Sequence, residues 1–417
     1  MKITNEAERL LKRISHPRMI GTEGIKKAKE EITEFYNENN IPYEIETFEC
    51  YGYDDGEGKI ALDGKSIKAR PVGNQNPFTI TGELLFIDNY KNIKNITYDI
   101  KGKILLATGG LTVEDFRYMY EHGVAGYIII SPPEKDFITS TTRQVLVKDN
   151  VIIPGLIVKH NDAIRILRYN GRKIKISGNN KIKKVKGENI VITVEGRNNT
   201  DPEILVFGHY DTVYESPGAT DNGGGTAIVA ALAKKYFKNP PKRGIKFIHF
   251  SGEEFGLLGS KSFVNSHKEE LKNYKFTINV DVAGDIFGYN MSRIIGGDDI
   301  FYLSKLIASN LGIVVNTTKD IYSSDSMPFA LEGIPSINIA RWGGRSSFNA
   351  HTINDKSKWI GKTGLEPLLL FTDEVLNFTS NSPLFPVERK VPEDLMQKVK
   401  DYFKKSGYSG KEKQQIK

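Results

Sequence analysis

From residue 186 onward, short apolar strand segments alternate with helical segments, and this alternation limits the folds open to the chain. EILVFGHYD, GIKFIHFSG and FTINVDVAG are strand-like, and helices are predicted over 226–237 and from 256 to about 271. Strands that alternate with helices are typical of an α/β fold, in which helices cover a layered sheet. The sequence therefore predicts an α/β domain over 186–390.

The rest of the chain differs from this region. Residues 1–59 contain two predicted helices and a strand, whereas 60–185 contain mainly short strands and turns. The 417-residue length itself favours two domains. We therefore expect 60–185 to be a separate β-rich lobe, inserted into the α/β domain, that carries no metal ligand and limits access to the site. Residues 391–417 are interpreted as a charged helix and tail.

Charge and cysteine content exclude several classes of protein. The net charge is +7, but the basic residues are spread along the chain, and the densest run, Lys181 to Lys186, is interpreted as a solvated linker. Nucleic-acid binding is therefore not expected. Cys50 is the one cysteine, which favours a reducing compartment.

The charged N-terminal segment does not resemble a signal peptide, and no apolar run reaches the ~20 residues of a membrane span. A cytoplasmic protein without membrane contact is expected.

Five residues of metal-ligand type occur where strands give way to loops. They are His209, Asp221, Glu254, Asp281 and His351. Two imidazoles with three carboxylates suit a pair of zinc ions that share a carboxylate. Paired metal ions are used by hydrolases, because together they hold a water and polarise the substrate carbonyl. The sequence thus predicts two Zn²⁺ per chain at a hydrolytic site.

Two further carboxylates adjoin these residues. Asp211 follows His209 by two positions, so on an extended backbone both side chains point the same way. It can reach a ring nitrogen of His209 or of a neighbouring ligand and fix the orientation of that ring. Glu253 precedes Glu254, and because successive side chains diverge, one carboxylate can bind metal while the other acts as a general base. Taken singly, these residues have simpler interpretations: a solvated loop for His209 and Asp211, a helix N-cap for Asp221 and a surface pair for the two glutamates.

Together, the motifs GHYDT, PGATDNGGG, SGEEFGLLGS, INVDVAG, SSDSMPFALEGIP and AHT resemble the co-catalytic zinc aminopeptidases. These are relatives of glutamate carboxypeptidase and glutaminyl cyclase. The opening HPRMIGTEG is also similar to that family, and GKILLATGG with the following AGYIII and IIPGLIV resembles an inserted protease-associated domain. The resemblance implies a three-layer, mixed-sheet zinc peptidase domain interrupted by a β-rich protease-associated domain.

Carried over residue by residue, the resemblance assigns a role to each site residue. Asp221 would bridge the two ions. His209 and Asp281 would be the other ligands of one zinc, and Glu254 and His351 those of the second. Glu253 would be the general base, and Asp211 would orient a histidine. The resemblance also implies a cis Asp221–Asn222 peptide bond. The chain departs from the family at Gly223–Gly225, which is expected to loosen the helix start, and at Ser326, where the family has histidine.

The leading hypothesis is a metallo-aminopeptidase that acts on peptide substrates. A carboxypeptidase on the same scaffold stays open, because Arg341 and Arg345 precede His351 in a Gly-rich loop and could bind a terminal carboxylate. Glutaminyl cyclase chemistry is disfavoured by His209, and a binding protein on an inactive peptidase scaffold is disfavoured by the complete ligand set. Side-chain preference and homo-oligomer formation are left open by the sequence.

Overall fold

The computed structural model describes residues 2–197 and 200–408. Within them the chain forms fifteen strands and twelve α-helices. The strands are β1 (Glu44–Asp54), β2 (Gly58–Leu62), β3 (Lys65–Pro71), β4 (Phe78–Asn89), β5 (Ile104–Thr108), β6 (Gly126–Ile130), β7 (Gly155–Val158), β8 (Lys173–Gly178), β9 (Lys181–Val194), β10 (Pro202–His209), β11 (Gly244–Phe250), β12 (Phe276–Val280), β13 (Tyr289–Ile295), β14 (Val315–Lys319) and β15 (Ser336–Trp342). The helices are α1 (Lys2–Ile14), α2 (Glu23–Asn37), α3 (Val113–Glu121), α4 (Gln144–Lys148), α5 (His160–Leu167), α6 (Gly225–Lys238), α7 (Leu258–Ser266), α8 (Asp298–Asn310), α9 (Ser326–Leu331), α10 (Arg345–Phe348), α11 (Lys362–Asn381) and α12 (Glu393–Ser406).

The chain divides into two compact units. The first contains the residues up to Phe48 together with Lys186–Asp401, and the second contains Glu49–Val185 together with the chain from Tyr402. The second unit therefore begins before residue 60, the boundary expected from the sequence, because β1 continues from one unit into the other.

Eight strands form the sheet of the first unit, in the order β1-β9-β11-β10-β12-β15-β13-β14. The four strands β11, β10, β12 and β15 are parallel neighbours. In contrast, β9 is antiparallel to β11, and β13 is antiparallel to β15. The sheet is thus mixed, and the carboxyl ends of its four parallel strands meet at one edge, where ligands bind in sheets of this type.

Both faces of this sheet are covered by helices. Along β10, Ile204 and Val206 pack in one apolar cluster with α1, α6 and α11. The alternate residues Leu205 and Phe207 pack in a second cluster with α7 and α9. Successive strand residues point to opposite faces, so two clusters mean two covered faces. The predicted α/β fold is confirmed, and its three layers are helix, sheet and helix.

Helix α6 fits this buried position because of its composition. All residues from Gly225 to Ala233 are buried, and most are alanine, valine, isoleucine or leucine. A helix that is apolar on all sides needs protein around its whole circumference. Helix α1 is amphipathic instead, with Leu10 and Ile14 in the core and charged residues outside. The sequence therefore places α6 between α1 and the sheet.

The second unit is built on a closed barrel with the strand order β2-β3-β7-β6-β5-β4-β8. Alternate residues of β5 enter two apolar clusters: Leu105 and Ala107 pack with α3, whereas Ile104 and Leu106 pack with β2 and β8. Among the described residues, the two groups able to hold a metal ion both lie in the first unit. The assignment of the barrel to a protease-associated domain stays a prediction.

Two local expectations are wrong. The basic run from Lys181 to Lys186 is part of β9 and not a linker. Helix α7 ends at Ser266 and does not continue to residue 271. Beyond Ser266 the chain makes turns, in which the amides of Glu270 and Leu271 both donate to the His267 carbonyl. Separately, no helix in the described part of the chain is long and apolar enough to cross a lipid bilayer.

Candidate active site

The parallel strands bring most of the predicted site residues to one edge of the sheet. His209 is the last residue of β10, and Asp281 directly follows β12. Glu253 and Glu254 lie in the turn after β11. His351 comes from the loop after β15 and α10. These residues are distant in sequence, yet they are neighbours because parallel strands end together.

Asp221 lies at the centre of this group, with its two carboxylate oxygens facing different partners. Its Oδ1 is 3.2 Å from Nε2 of His209, which is also 3.3 Å from Oδ1 of Asp281. Its Oδ2 is 3.1 Å from Nε2 of His351, which is also 3.1 Å from Oε2 of Glu254. The five predicted ligands thus form two groups of three that share Asp221.

The turn at Ala219–Gly224 carries Asp221, and glycines are required for steric reasons where this turn joins α6. A Cβ on Gly224 would lie 2.0 Å from the carbonyl oxygen of Ala283, and one on Gly225 would lie 2.2 Å from that of Val280. Neither distance is compatible with a side chain. The expectation that these glycines loosen the helix start is wrong, because they let α6 approach the end of β12 closely. The Asp221–Asn222 peptide bond is cis, as the resemblance implied.

Buried hydrogen bonds hold this turn in place. Asp355 accepts hydrogen bonds from the backbone amides of Thr220 (2.9 Å) and Asp221 (3.0 Å), and also from the hydroxyl of Ser346. Asn222 donates to the Val280 carbonyl (2.8 Å) and accepts from the Gly225 amide (2.9 Å). The turn is therefore tied to the strand end that carries Asp281.

Asp211 organises the opposite side of the site. Its two oxygens accept hydrogen bonds from the backbone amides of Glu253 (3.1 Å) and Glu254 (3.3 Å). Its Oδ1 is also 3.5 Å from Nδ1 of His209, the ring nitrogen that faces away from Asp221. Asp211 is fully buried. It thus connects the strand-end histidine with the turn of two glutamates, a wider contact than the sequence predicted.

The charges in the cluster are strongly coupled. Burial lowers the pKa of His209, but Asp211, Asp221 and Asp281 outweigh burial and hold that pKa well above its ordinary value. Glu254 and Asp221 likewise raise the pKa of His351. Burial, together with its neighbouring carboxylates, raises the pKa of Glu253 well above its usual range. Without a metal, protons must therefore supply the positive charge that the carboxylates require.

The donor set fits divalent zinc. Imidazole nitrogens and carboxylate oxygens are its usual ligands, and one carboxylate can serve two ions. Asp281 Oδ1 is buried, and although Nε2 of His209 lies 3.3 Å away, this oxygen makes no hydrogen bond among the described residues. Burying such an atom is costly unless a cation satisfies it. The backbone is strained nearby, since Val282 and His351 have φ values of 67° and 65°. Such strain persists where the surrounding structure imposes it, as at functional sites.

Three other residues complete the surroundings, and no role was predicted for them from the sequence. Asp355 supports the Asp221 turn. Asp325 is buried, accepts a hydrogen bond from Ser260 (2.6 Å), and has its pKa raised to about 7, chiefly by burial. Burial and the charge of Asp281 hold the pKa of the Tyr322 phenol well above its ordinary value. Asp325 is the aspartate of the Ser-Ser-Asp motif, and Tyr322 directly precedes that motif, so the motif is the sequence signal that could have indicated both residues.

Of the two arginines expected near a substrate carboxylate, Arg341 is engaged within its own fold, whereas Arg345 is exposed. Arg341 lies in β15 with its side chain largely buried, and it donates to the Asp285 carbonyl (2.7 Å), the Asn290 side chain (2.6 Å) and the Ile286 carbonyl (3.2 Å). Arg345 stacks over Trp359, with 4.5 Å between the guanidinium carbon and the ring centroid. Both guanidinium groups thus have structural contacts.

Comparison with known proteins finds several that are named as peptidases. Residues 189–369 match the family model described as peptidase family M28. Aminopeptidase YwaD of Bacillus subtilis (strain 168) is 28% identical over 364 residues, which cover 84% of this chain and 78% of that protein. A solved zinc aminopeptidase from Bacillus subtilis has a TM-score of 0.75 at 24% identity and covers 94% of this chain and 98% of its own. An aminopeptidase from Aneurinibacillus sp. strain AM-1 has a TM-score of 0.74 at 21% identity, with coverages of 92% and 96%.

The fold and the two-group site therefore define a peptidase of the α/β metal-dependent class. The segment that matches peptidase family M28 includes β10, β11, β12 and β15 and all five predicted ligands. The resemblance indicated by the motifs is confirmed at the level of this family.

Proposed function

We propose that this protein is a zinc-dependent aminopeptidase that removes residues one at a time from the free amino terminus of peptides. The observation that carries the proposal is the division of Asp221, whose two oxygens face His209 and Asp281 on one side and His351 and Glu254 on the other. A carboxylate in this position suits two cations held side by side.

The residues divide into ligands and supporting groups. His209, Asp221 and Asp281 would hold one ion, and Asp221, Glu254 and His351 would hold the other. Two zinc ions held there would lower the pKa of a water and polarise the scissile carbonyl. Asp211 holds the turn of Glu253 and Glu254 and faces the outer nitrogen of His209, so it orients residues on both sides of the site.

Glu253 is proposed as the general base. Its backbone amide is fixed by Asp211, next to Glu254, while its side chain belongs to neither metal-ligand group. It would take a proton from the attacking water and pass it to the leaving amine as the peptide bond breaks. Transfer by a positioned base of this kind contributes roughly 10²–10⁴-fold to the rate.

The amino terminus is preferred over the carboxyl terminus for a structural reason. A carboxypeptidase needs a free cation to bind the terminal carboxylate of its substrate. The Arg341 guanidinium instead donates to three groups of its own fold, which leaves only the exposed Arg345, stacked on Trp359, of the two arginines considered. The relatives named as aminopeptidases support the same choice. We further propose that the barrel is a protease-associated domain that limits access to the site, and that the protein acts in the cytoplasm.

An end-specific assay tests this function. The zinc-loaded protein would be given a set of peptides with a free amino terminus, the same peptides N-acetylated, and the same peptides C-amidated. We expect shortening of the free and the C-amidated peptides from the amino end, and no cleavage of the acetylated ones. Cleavage of acetylated peptides from the carboxyl end would establish the carboxypeptidase alternative instead.

A further inference from the structure

Arg18 is a fully buried cation outside the groups assigned above. Its guanidinium donates only to backbone carbonyls among its described partners, and none of them is a carboxylate. They are the carbonyls of Tyr210 (2.6 Å), Pro217 (2.6 Å), Gly218 (2.8 Å), Ile14 (2.9 Å) and His16 (3.2 Å). Burial lowers the pKa of Arg18 to about 10, while Asp355 and Asp211 are the acidic groups that act most strongly against burial. Burying such a charge is costly, so its contacts need a compensating purpose.

The five carbonyls belong to three separate segments. Ile14 and His16 lie at the end of α1. Tyr210 stands between His209 and Asp211, at the end of β10. Gly218 immediately precedes the turn of Asp221, and its own carbonyl accepts the Gly223 amide (2.9 Å). One guanidinium group therefore connects the strand end carrying His209 with the residues that lead into the turn carrying Asp221, and the Gly218 carbonyl links it to the far end of that turn.

The backbone of Arg18 strengthens the same connection. Its amide donates to the hydroxyl of Thr212 (3.0 Å), and the Thr212 amide donates to its carbonyl (3.4 Å). The planar guanidinium fixes the directions of its N–H groups, so it can hold several acceptors at set positions, whereas the single ammonium of lysine cannot. The arrangement is rigid on both the backbone and the side-chain level.

We infer that Arg18 is a positioning residue for the metal site: it sets the separation between His209 and Asp221 before any ion binds. The inference rests on the proposed two-ion function. Arg18 is proposed to act through geometry and not through its charge, and these two effects predict opposite changes in zinc affinity when Arg18 is replaced. A cation near carboxylates repels metal ions, so if charge dominated, its removal would tighten zinc binding. If positioning dominates, its removal weakens zinc binding, because His209 and Asp221 are no longer held in register.

The test compares Arg18→Lys and Arg18→Met with the unaltered protein. Zinc affinity of each metal-free protein is measured by competition with a chromophoric chelator, and kcat and KM are measured after zinc loading. Loss of a residue that supports a metal ligand from outside typically lowers metal affinity or activity 10–100-fold. We expect zinc affinity to fall by about that factor in both variants. We also expect kcat to fall by a larger factor than the change in KM. Unchanged or tighter zinc binding in either variant would overturn the inference.

Arg243→Lys is the matched control. Arg243 is also an arginine with a largely buried side chain that donates to loop carbonyls, those of Ser382 (2.6 Å) and Pro383 (3.2 Å), and it pairs with Glu203 (3.0 Å). It lies at the start of β11, the opposite end from the site. We expect Arg243→Lys to lower thermal stability without changing zinc affinity. Equal losses of stability in Arg18→Lys and Arg243→Lys, with zinc affinity and kcat intact in both, would make Arg18 purely structural.

Thr212→Val provides a milder variant that preserves shape if the Arg18 variants do not fold. It removes the acceptor of the Arg18 amide and leaves the guanidinium in place. A smaller loss of zinc affinity in the same direction is expected, and no loss would contradict the inference. Failure of the unaltered protein to bind zinc would instead contradict the proposed function, so the two failures are distinguishable.

Discussion

The two halves of the candidate site differ in exposure. The His209 side chain is 2% exposed and that of Asp281 is 8% exposed, and both residues stand at ends of central strands. The His351 side chain is 48% exposed and comes from a loop with a left-handed backbone. The first half is framed by the sheet, whereas the second is open only on the side of His351, because the Glu254 side chain is 5% exposed. A rigid buried half suits a firmly held ion, and an open half suits the approach of substrate.

The largest effect is expected from Asp221→Asn, because Asp221 is the one residue that both halves share. An amide cannot present two anionic oxygens, so both ions should be weakened. Activity should fall by more than the roughly 100-fold that loss of an outer partner costs. Asp373→Asn, which alters a carboxylate paired with Lys235 far from the site, is the control. An Asp221→Asn variant with full zinc content and normal activity would rule out the shared carboxylate.

The contrast between the halves can be tested with His209→Ala and His351→Ala. Each should lose one zinc ion, as measured by elemental analysis of the dialysed protein. His209→Ala should also lower the melting temperature more, because it empties a buried position and leaves Asp281 without its partner. His351→Ala removes a half-exposed ring and should change the melting temperature little. Equal decreases in melting temperature would show that the difference in exposure between His209 and His351 has no effect on stability.

A smaller effect is expected from pH on the metal-free protein. His209 and His351 have folded pKa values raised above the ordinary histidine value of about 6.5, so they stabilise the fold at lower pH and lose that contribution as pH rises through the raised values. Asp325 and Asp355, with pKa values raised to about 7 and about 6, act in the same direction between roughly pH 4 and 7. Burial raises the pKa of Asp221, but His209 and His351 lower that pKa by more than burial raises it, so Asp221 stays charged between pH 5 and pH 8.

Denaturant unfolding at pH 5 and pH 8 measures this effect. We expect the metal-free protein to be less stable at pH 8, and zinc to remove the difference, because the ions replace the protons that the carboxylates need. A metal-free protein that is more stable at pH 8 would show that the cluster is not held together by protons.

The sequence was sufficient to predict the site residues that stand at strand ends, because each of them follows an apolar run. His209 and Asp281 could be placed from the strands EILVFG and FTINV, and parallel strands bring such residues together. Asp355 could not be placed, because it acts on the Asp221 amide across 134 residues through a contact that only the folded chain creates. Arg341 was misleading for a related reason: as a cation in a Gly-rich segment it suggested carboxylate binding, but the fold buries it and occupies its donors.

Local composition was also insufficient at Gly223–Gly225. Three glycines before a helix suggest flexibility, whereas at Gly224 and Gly225 the structure shows backbone atoms too close for a Cβ. The difference depends on how near α6 approaches β12, which is a property of tertiary packing. The same is true of Arg18, whose five acceptors lie on three segments.

The most direct test of the account is metal stoichiometry measured together with activity in Glu253→Gln and Glu254→Gln. These adjacent residues share the Asp211 contact, but only Glu254 faces His351. We predict two zinc ions in the unaltered protein and in Glu253→Gln, with activity in that variant reduced roughly 10²–10⁴-fold by loss of the base. Glu254→Gln should retain one tightly bound ion. Equal zinc loss in both variants, or one ion in the unaltered protein, would contradict the division between base and ligand.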